Sequence, residues 1–222
     1  MKVIITGATG MVGKGLLLEC LDDPQITQVL TVGRTTLSLA HPKLKELIKK
    51  DFLDYSDVTD ELRGYDACYL CMGVSAAGLS EAQYRKLTYD YTISLATSLY
   101  NLNPDMVCCY VSGQGTDSSE KGKSTWARIK GKTENDLLSM GFKAAYMFRP
   151  GAIIPLKGIK SKTKVYQFIY SYFGLVLKIM KGLFPNSIVN TTQIGLAMIN
   201  IAIKGYHKEI IDPQDILKLS KI

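Results

Sequence analysis

What the sequence lacks narrows its class first. No uncharged apolar run reaches the roughly 20 residues that span a bilayer; the nearest, VYQFIYSYFGLVLKIMKGLF at 165–184, is broken by Lys178 and Lys181. Nor does the opening MKVIITGATG look like a leader, because Gly7 and Gly10 cut its apolar stretch at once. A soluble chain is expected. The five cysteines, at 20, 68, 71, 108 and 109, are odd in number and scattered, which is not how a secreted disulfide framework looks. The expected setting is a reducing cytoplasm. Cys68 and Cys71 do form a CxxC, but within ACYLCMG, an apolar run that reads as a buried strand. Residues three apart on a strand point to opposite faces, so the pair is expected to pack, with no metal and no redox role. Internal repeats, low-complexity segments and nucleic-acid motifs are also missing. The net charge of +7 permits attraction to phosphorylated ligands. With its lysines spread and no aromatic interleaving, nucleic acid is not a favoured partner.

What is present reads as one domain. The 222 residues, 46% of them hydrophobic, can bury a sizeable core. KVIIT is a short β-branched run, MVGKGLLLECLDD continues at helical spacing, and TQVLTVGR is again strand-like. Strand, helix and strand within about 30 residues is the size of a βαβ unit. Further strands read at 44–50, 66–72, 105–112 and 143–149. Helices fill 80–101, striped by Tyr84, Leu87, Tyr91, Leu95 and Leu99, and 124–140, striped by Trp126, Ile129, Leu137 and Met140. The alternation predicts an α/β fold with a doubly wound parallel sheet covered on both faces. After Pro150 it fades into GAIIPLKGIKSKTK, helices near 164–182 and 191–204, and a short strand and helical turn in EIIDPQDILKLSKI. Residues 151–222 are therefore expected as a small helical cap on the substrate side of a core at 1–150.

TGATGMVG, residues 6–13, follows the first strand and opens the first helix. Gly7 lets the chain turn tightly, Gly10 clears a path for a pyrophosphate, and Gly13 lets helix pack on strand. The amides of Met11 and Val12 would face phosphates at the positive end of the helix. Such a loop alone is a weak signal, but its place inside a βαβ unit is the context that dinucleotide binding requires. After the second strand stands VGRTT, where Arg34 suits a 2′-phosphate and no carboxylate competes for the ribose. NADP is favoured over NAD.

These features, with DF at 51–52, CMG at 71–73, VSGQG from 111, Lys130 and RPG from 149, resemble the short-chain dehydrogenase/reductase superfamily. The likeness is to its atypical branch of epimerase/dehydratase-like and NmrA-like Rossmann proteins, and it runs to about residue 205. It implies a Rossmann fold and a nicotinamide cofactor held by Gly7, Thr9, Gly10, Met11, Val12 and Gly13. Arg34 and Thr35 would join them, with Asp51 and Phe52 by the adenine. The resemblance also implies Cys71, Met72 and Gly73 under the ribose, and Pro150, Gly151 and Ala152 beside the nicotinamide.

The superfamily's catalytic set is a serine, a tyrosine and a lysine. Ser112 matches the serine and Lys130 the lysine, but Trp126 stands in the tyrosine's place. A phenol can be tuned toward neutrality and exchange a proton; an indole N–H only donates a hydrogen bond. Three readings stay open: another group supplies the proton, the protein binds NADP(H) without turnover as a sensor or scaffold, or Trp126 is simply core. The expectation is an NADP-dependent oxidoreductase or epimerase-like protein acting on a small carbonyl or sugar-nucleotide substrate. The basic, apolar helix near 164–182 is expected to roof the pocket or form a homo-oligomer contact, in preference to lying on a membrane surface.

Overall fold

The computed structural model describes residues 1–159 and 187–222. In chain order the elements are β1 (Lys2–Thr6), α1 (Met11–Asp22), β2 (Gln28–Gly33), β3 (Leu44–Ile48), β4 (Ala67–Leu70), α2 (Glu81–Arg85), a π turn (Lys86–Asp90) and α3 (Tyr91–Leu102). Then come β5 (Val107–Val111), α4 (Thr125–Ser139), β6 (Ala144–Phe148), β7 (Ala152–Ile154), β8 (Ile188–Asn190), α5 (Thr191–Lys204), β9 (Ile210–Ile211) and α6 (Pro213–Leu219).

Seven strands pair in the order β3-β2-β1-β4-β5-β6-β9, and every pairing is parallel. The chain therefore winds outward from β1 to β3, returns, and winds the other way from β4 to β9. This is the doubly wound sheet that the alternation predicts, and its direction reverses between β1 and β4. The two-residue period of a strand sorts β1 between two cores. Val3 and Ile5 pack with Leu16, Leu17 and Cys20 of α1 and with Ile194, Met198 and Ile201 of α5. Ile4 packs on the opposite face with Leu30, Leu95, Leu99, Tyr110 and Leu137. The CxxC divides in the same way, Cys68 entering the second core and Cys71 lying against the first.

Several expectations change. The crossover from β2 to β3 is irregular chain, and the one from β3 to β4 contains only a 3-10 turn at Ser56–Val58. The helix over 80–101 starts on a capping box formed by Ser80 and Gln83 but is interrupted by the π turn. The fully buried face runs through Tyr84, Thr88, Thr92, Leu95 and Leu99, while Leu87 is only half-buried and Tyr91 packs half-buried against the second core. Residues 152–154, expected as loop, pair in parallel with 188–190.

The C-terminal portion is helical, and its described part packs on the core. Helix α5 joins α1 in the first core, α6 adds Ile216 and Leu219 there, and β9 extends the main sheet beside β6. A helix stays on the core when its apolar face is wide, and Ile194, Ala197, Met198 and Ile201 supply one. The helix expected near 164–182, with its basic and aromatic residues, lies outside the described residues.

The central strand sets the stability. Ile4→Ala, at a fully buried site, should cost about 2–5 kcal/mol in urea unfolding with an unchanged m-value. Ile203→Ala, 36% exposed, should change stability by less than about 0.5 kcal/mol.

Candidate functional site

The crevice opens where the winding reverses, at the C-terminal ends of β1 and β4, which is where open parallel sheets bind ligands. Gly7 has φ of 68° and its carbonyl accepts the Gly10 amide at 2.8 Å, closing the turn. A β-carbon at Gly7 would lie 2.4 Å from the Cys71 carbonyl oxygen, and one at Gly13 would lie 2.3 Å from the Gly7 carbonyl oxygen. Both glycines are thus demanded by close backbone approach. Gly10 is the N-cap of α1 in an extended conformation; no side chain caps the helix and no acid stands in its first turn. The first amides of α1 are left as donors at the positive end of the helix dipole, a ready site for a phosphate anion.

Two cavities flank this helix start. The smaller, of about 240 Å³, is lined by Gly7, Thr9, Gly33, Arg34, Thr35 and Ile48 among others, and no carboxylate faces it. The larger, of about 890 Å³, brings Gly10, Met11 and Val12 together with Cys71 and Gly73 after β4. Its far side is formed by Ser112 after β5, Trp126 and Lys130 of α4, and Pro150, Gly151 and Ala152 after β6. Segments far apart in sequence converge as the sequence pattern implies.

Four of the residues named from the sequence line neither cavity: Gly13, which packs against the Gly7 backbone, and Asp51, Phe52 and Met72. The Asp51 carboxylate accepts the Leu53 amide at 2.9 Å. Phe52 is 3% exposed, its ring 5.5 Å from that of Tyr91. Met72 packs against the second core. An apolar side chain beside a crevice gains more by burial in the sheet than by facing solvent.

Behind Ser112 and Lys130 of the larger cavity lies a polar network. The Lys130 ammonium donates to the Ser112 carbonyl oxygen. The Ser112 hydroxyl meets the Glu134 carboxylate and lies 3.2 Å from the Phe148 carbonyl oxygen, so its single proton is held between two acceptors inside the protein. Glu134 has no exposed surface. It also accepts the Arg149 Nε–H at 3.0 Å and pairs with a second guanidinium nitrogen, a bidentate arrangement. Arg149 extends to the Ser118 hydroxyl at 2.5 Å. Burial pushes the Lys130 ammonium from its ordinary 10.5 down to about 8, opposed by the charge of Glu134.

Trp126 is half-buried and lines the larger cavity, which removes the reading of it as plain core. Glu134 is the member that sequence reasoning missed. Its one signal is position, since a glutamate four residues after Lys130 falls on the same helix face. Removing one partner from a buried ion pair strands the other. Glu134→Ala should therefore destabilise the fold by about 3–5 kcal/mol in chemical unfolding, and the Glu134→Ala, Arg149→Ala double variant should lose less than the sum of the two single changes.

Known proteins share this architecture. Protein fmp52 of Emericella nidulans is 26% identical over 217 residues, covering 94% of this chain and 90% of its own length. Its counterpart in Candida albicans is 29% identical over 158 residues, 69% of this chain and 68% of its own. Both are named as mitochondrial proteins, which overturns the expected cytoplasmic setting: the scatter of free cysteines from which it was inferred marks a chain without a disulfide framework and does not choose between reducing compartments. The crystal structure of the Bordetella bronchiseptica enzyme WbmF in complex with NAD+ superposes with a TM-score of 0.69 at 14% identity, covering 99% of this chain and 76% of that one, a likeness of fold. The model of the NAD dependent epimerase/dehydratase family matches residues 3–117, from β1 through the glycine loop and β5 to the serine strand end. With more than half its length matched, the chain belongs to the NAD dependent epimerase/dehydratase family and is a nicotinamide-dinucleotide-binding Rossmann protein.

Proposed function

We propose that the protein binds NADP(H) and acts as an oxidoreductase or epimerase-like enzyme on a small carbonyl substrate. One observation carries the cofactor part: the uncapped start of α1 lies between two cavities, and the smaller holds Arg34 and no carboxylate. An arginine there offers paired donors to a 2′-phosphate, while a ribose 2′-hydroxyl would meet no acid. The amides of Met11 and Val12 would hold the pyrophosphate, and Thr9 and Thr35 would border the adenosine side. Gly73, Lys130, Pro150, Gly151 and Ala152 would border the nicotinamide side. Bound there, the cofactor supplies hydride exchange. What this chain's own residues supply is an ammonium at Lys130 and an indole donor at Trp126.

A second reading, a non-catalytic NADP(H) sensor, is favoured by the way the Ser112 proton is held by Glu134 and Phe148 while Trp126 cannot ionise. The two readings share the cofactor and differ in turnover. Consumption of NADPH with a panel of small carbonyl compounds supports the enzyme; tight binding with no consumption supports the sensor.

Three outcomes are expected. Arg34→Ala weakens NADPH binding by about tenfold or more and leaves NADH within about twofold, read by calorimetry; an unchanged preference removes the NADP assignment. NADPH affinity falls as pH rises through about 8, because Lys130 is charged below that pH and neutral above it, and Lys130→Arg flattens the dependence across the same interval. Trp126→Tyr returns a phenol beside Lys130 and raises carbonyl-dependent NADPH consumption above the wild-type rate.

A further inference from the structure

The larger cavity has a one-sided chemistry. Among the described residues that line it Lys130 alone is charged, and neither an arginine nor a carboxylate faces it. That one ammonium already donates to the Ser112 carbonyl oxygen. Its other described walls are uncharged: Met11, Val12, Val74, Val111 and Ile153 give an apolar share, Ser75, Ser112 and Gln114 a polar one, and the indole of Trp126 stands on the α4 side.

The surroundings of the indole bear on what it can touch. A β-carbon on Gly115 would sit 3.4 Å from Cη2 of the Trp126 ring, and Gly115 has φ of +89°, a conformation that keeps this position free of a side chain. The ring thus borders bare backbone at one edge. Among the described residues the ring pairs join Phe52 with Tyr55 and Tyr91, Tyr100 with Phe142, and Tyr206 with His207. The cation–ring contacts fall on Tyr55 and Tyr89. The only tryptophan of the chain is therefore spent on the cavity wall.

Two substrate classes compete for such a space. A sugar nucleotide brings a diphosphate and a ring of hydroxyls, and its recognition needs cations and paired hydrogen-bond partners, since each polar group buried without a partner costs affinity. A flat conjugated carbonyl compound brings an aromatic face, which gains from offset stacking on an indole and from apolar walls, and a single oxygen, which one or two donors satisfy. Lys130 and the indole N–H are the kind of donors that oxygen requires.

We infer that the larger cavity takes a flat, conjugated carbonyl compound in preference to a sugar nucleotide, and that Trp126 is the wall that selects it. Trp126 occupies the tyrosine's place as a residue of specificity. The inference rests on the cofactor-binding reading above, and the two can fail separately.

The test uses the full chain loaded with NADP+, with 2-naphthaldehyde and UDP-glucose as probes. Calorimetry on wild type, Trp126→Phe and Trp126→Ala should give 2-naphthaldehyde affinities within about threefold for the first two and about tenfold weaker for the third, while UDP-glucose gives no binding heat. Titration of each variant with NADPH, followed by cofactor emission, comes first. Cofactor binding lost in wild type overturns the underlying reading. Cofactor binding retained in Trp126→Ala together with unchanged 2-naphthaldehyde affinity overturns the inference, as does tighter binding of UDP-glucose than of 2-naphthaldehyde by wild type. Saturable quenching of tryptophan emission in the unaltered protein is expected because all of it comes from Trp126. Its absence also overturns the inference, whatever the variants' stability.

Discussion

Glu134 carries a carboxylate with no exposed surface, and the strand ends and the helix behind the larger cavity meet on that charge. Its partners come from three places: the Ser112 hydroxyl at the end of β5, the Arg149 guanidinium at the end of β6, and its own helix α4, which also carries Trp126 and Lys130. A charge buried this deeply is tolerated because it is bidentate to an arginine and bonded to a hydroxyl, so little of its hydrogen-bonding capacity is unmet. The arrangement fixes two strand ends against a helix. It also holds the proton of the Ser112 hydroxyl, so stability and the superfamily's usual chemistry draw on the same group.

How far the sequence could be read depended on the range of the interaction involved. The glycine loop was legible because its requirements are local: Gly7, Gly10 and Gly13 satisfy a turn, a helix start and a close packing within eight residues of chain. The strands of the main sheet were legible because burial on both faces leaves continuous apolar runs such as ACYL and VCCYV. The pairing of Ala152–Ile154 with Ile188–Asn190 was not, since three-residue strands have no period to detect and their partners are distant in sequence. Glu134 escaped for a related reason. A glutamate on a helix usually faces water, and only the arrival of Arg149 from β6 makes this one a buried partner. Where the Asp51 and Phe52 side chains lie was not legible either, because likeness to a motif says which segment lies near a crevice and not which way its side chains point.

The two cavities divide the labour by polarity. At the adenosine end the chain offers an exposed arginine and threonines, groups suited to a charged and hydrated partner. At the other end it offers aliphatic walls, an indole and one lysine with a weakened hold on its proton. The start of α1 joins them with amide donors. A single extended dinucleotide, anionic in the middle and planar at its nicotinamide, would reach all three regions at once.

The π turn at Lys86–Asp90 has a consequence for how this fold is encoded. The turn brings Thr88 and Thr92 into the interior, and the Thr92 hydroxyl finds no hydrogen-bond partner among the described residues. Leu87 and Tyr91, one position earlier, remain only half-buried. The π turn thus falls where this helix buries two threonines, at a cost in unmet hydrogen bonding at Thr92 that an apolar side chain would avoid.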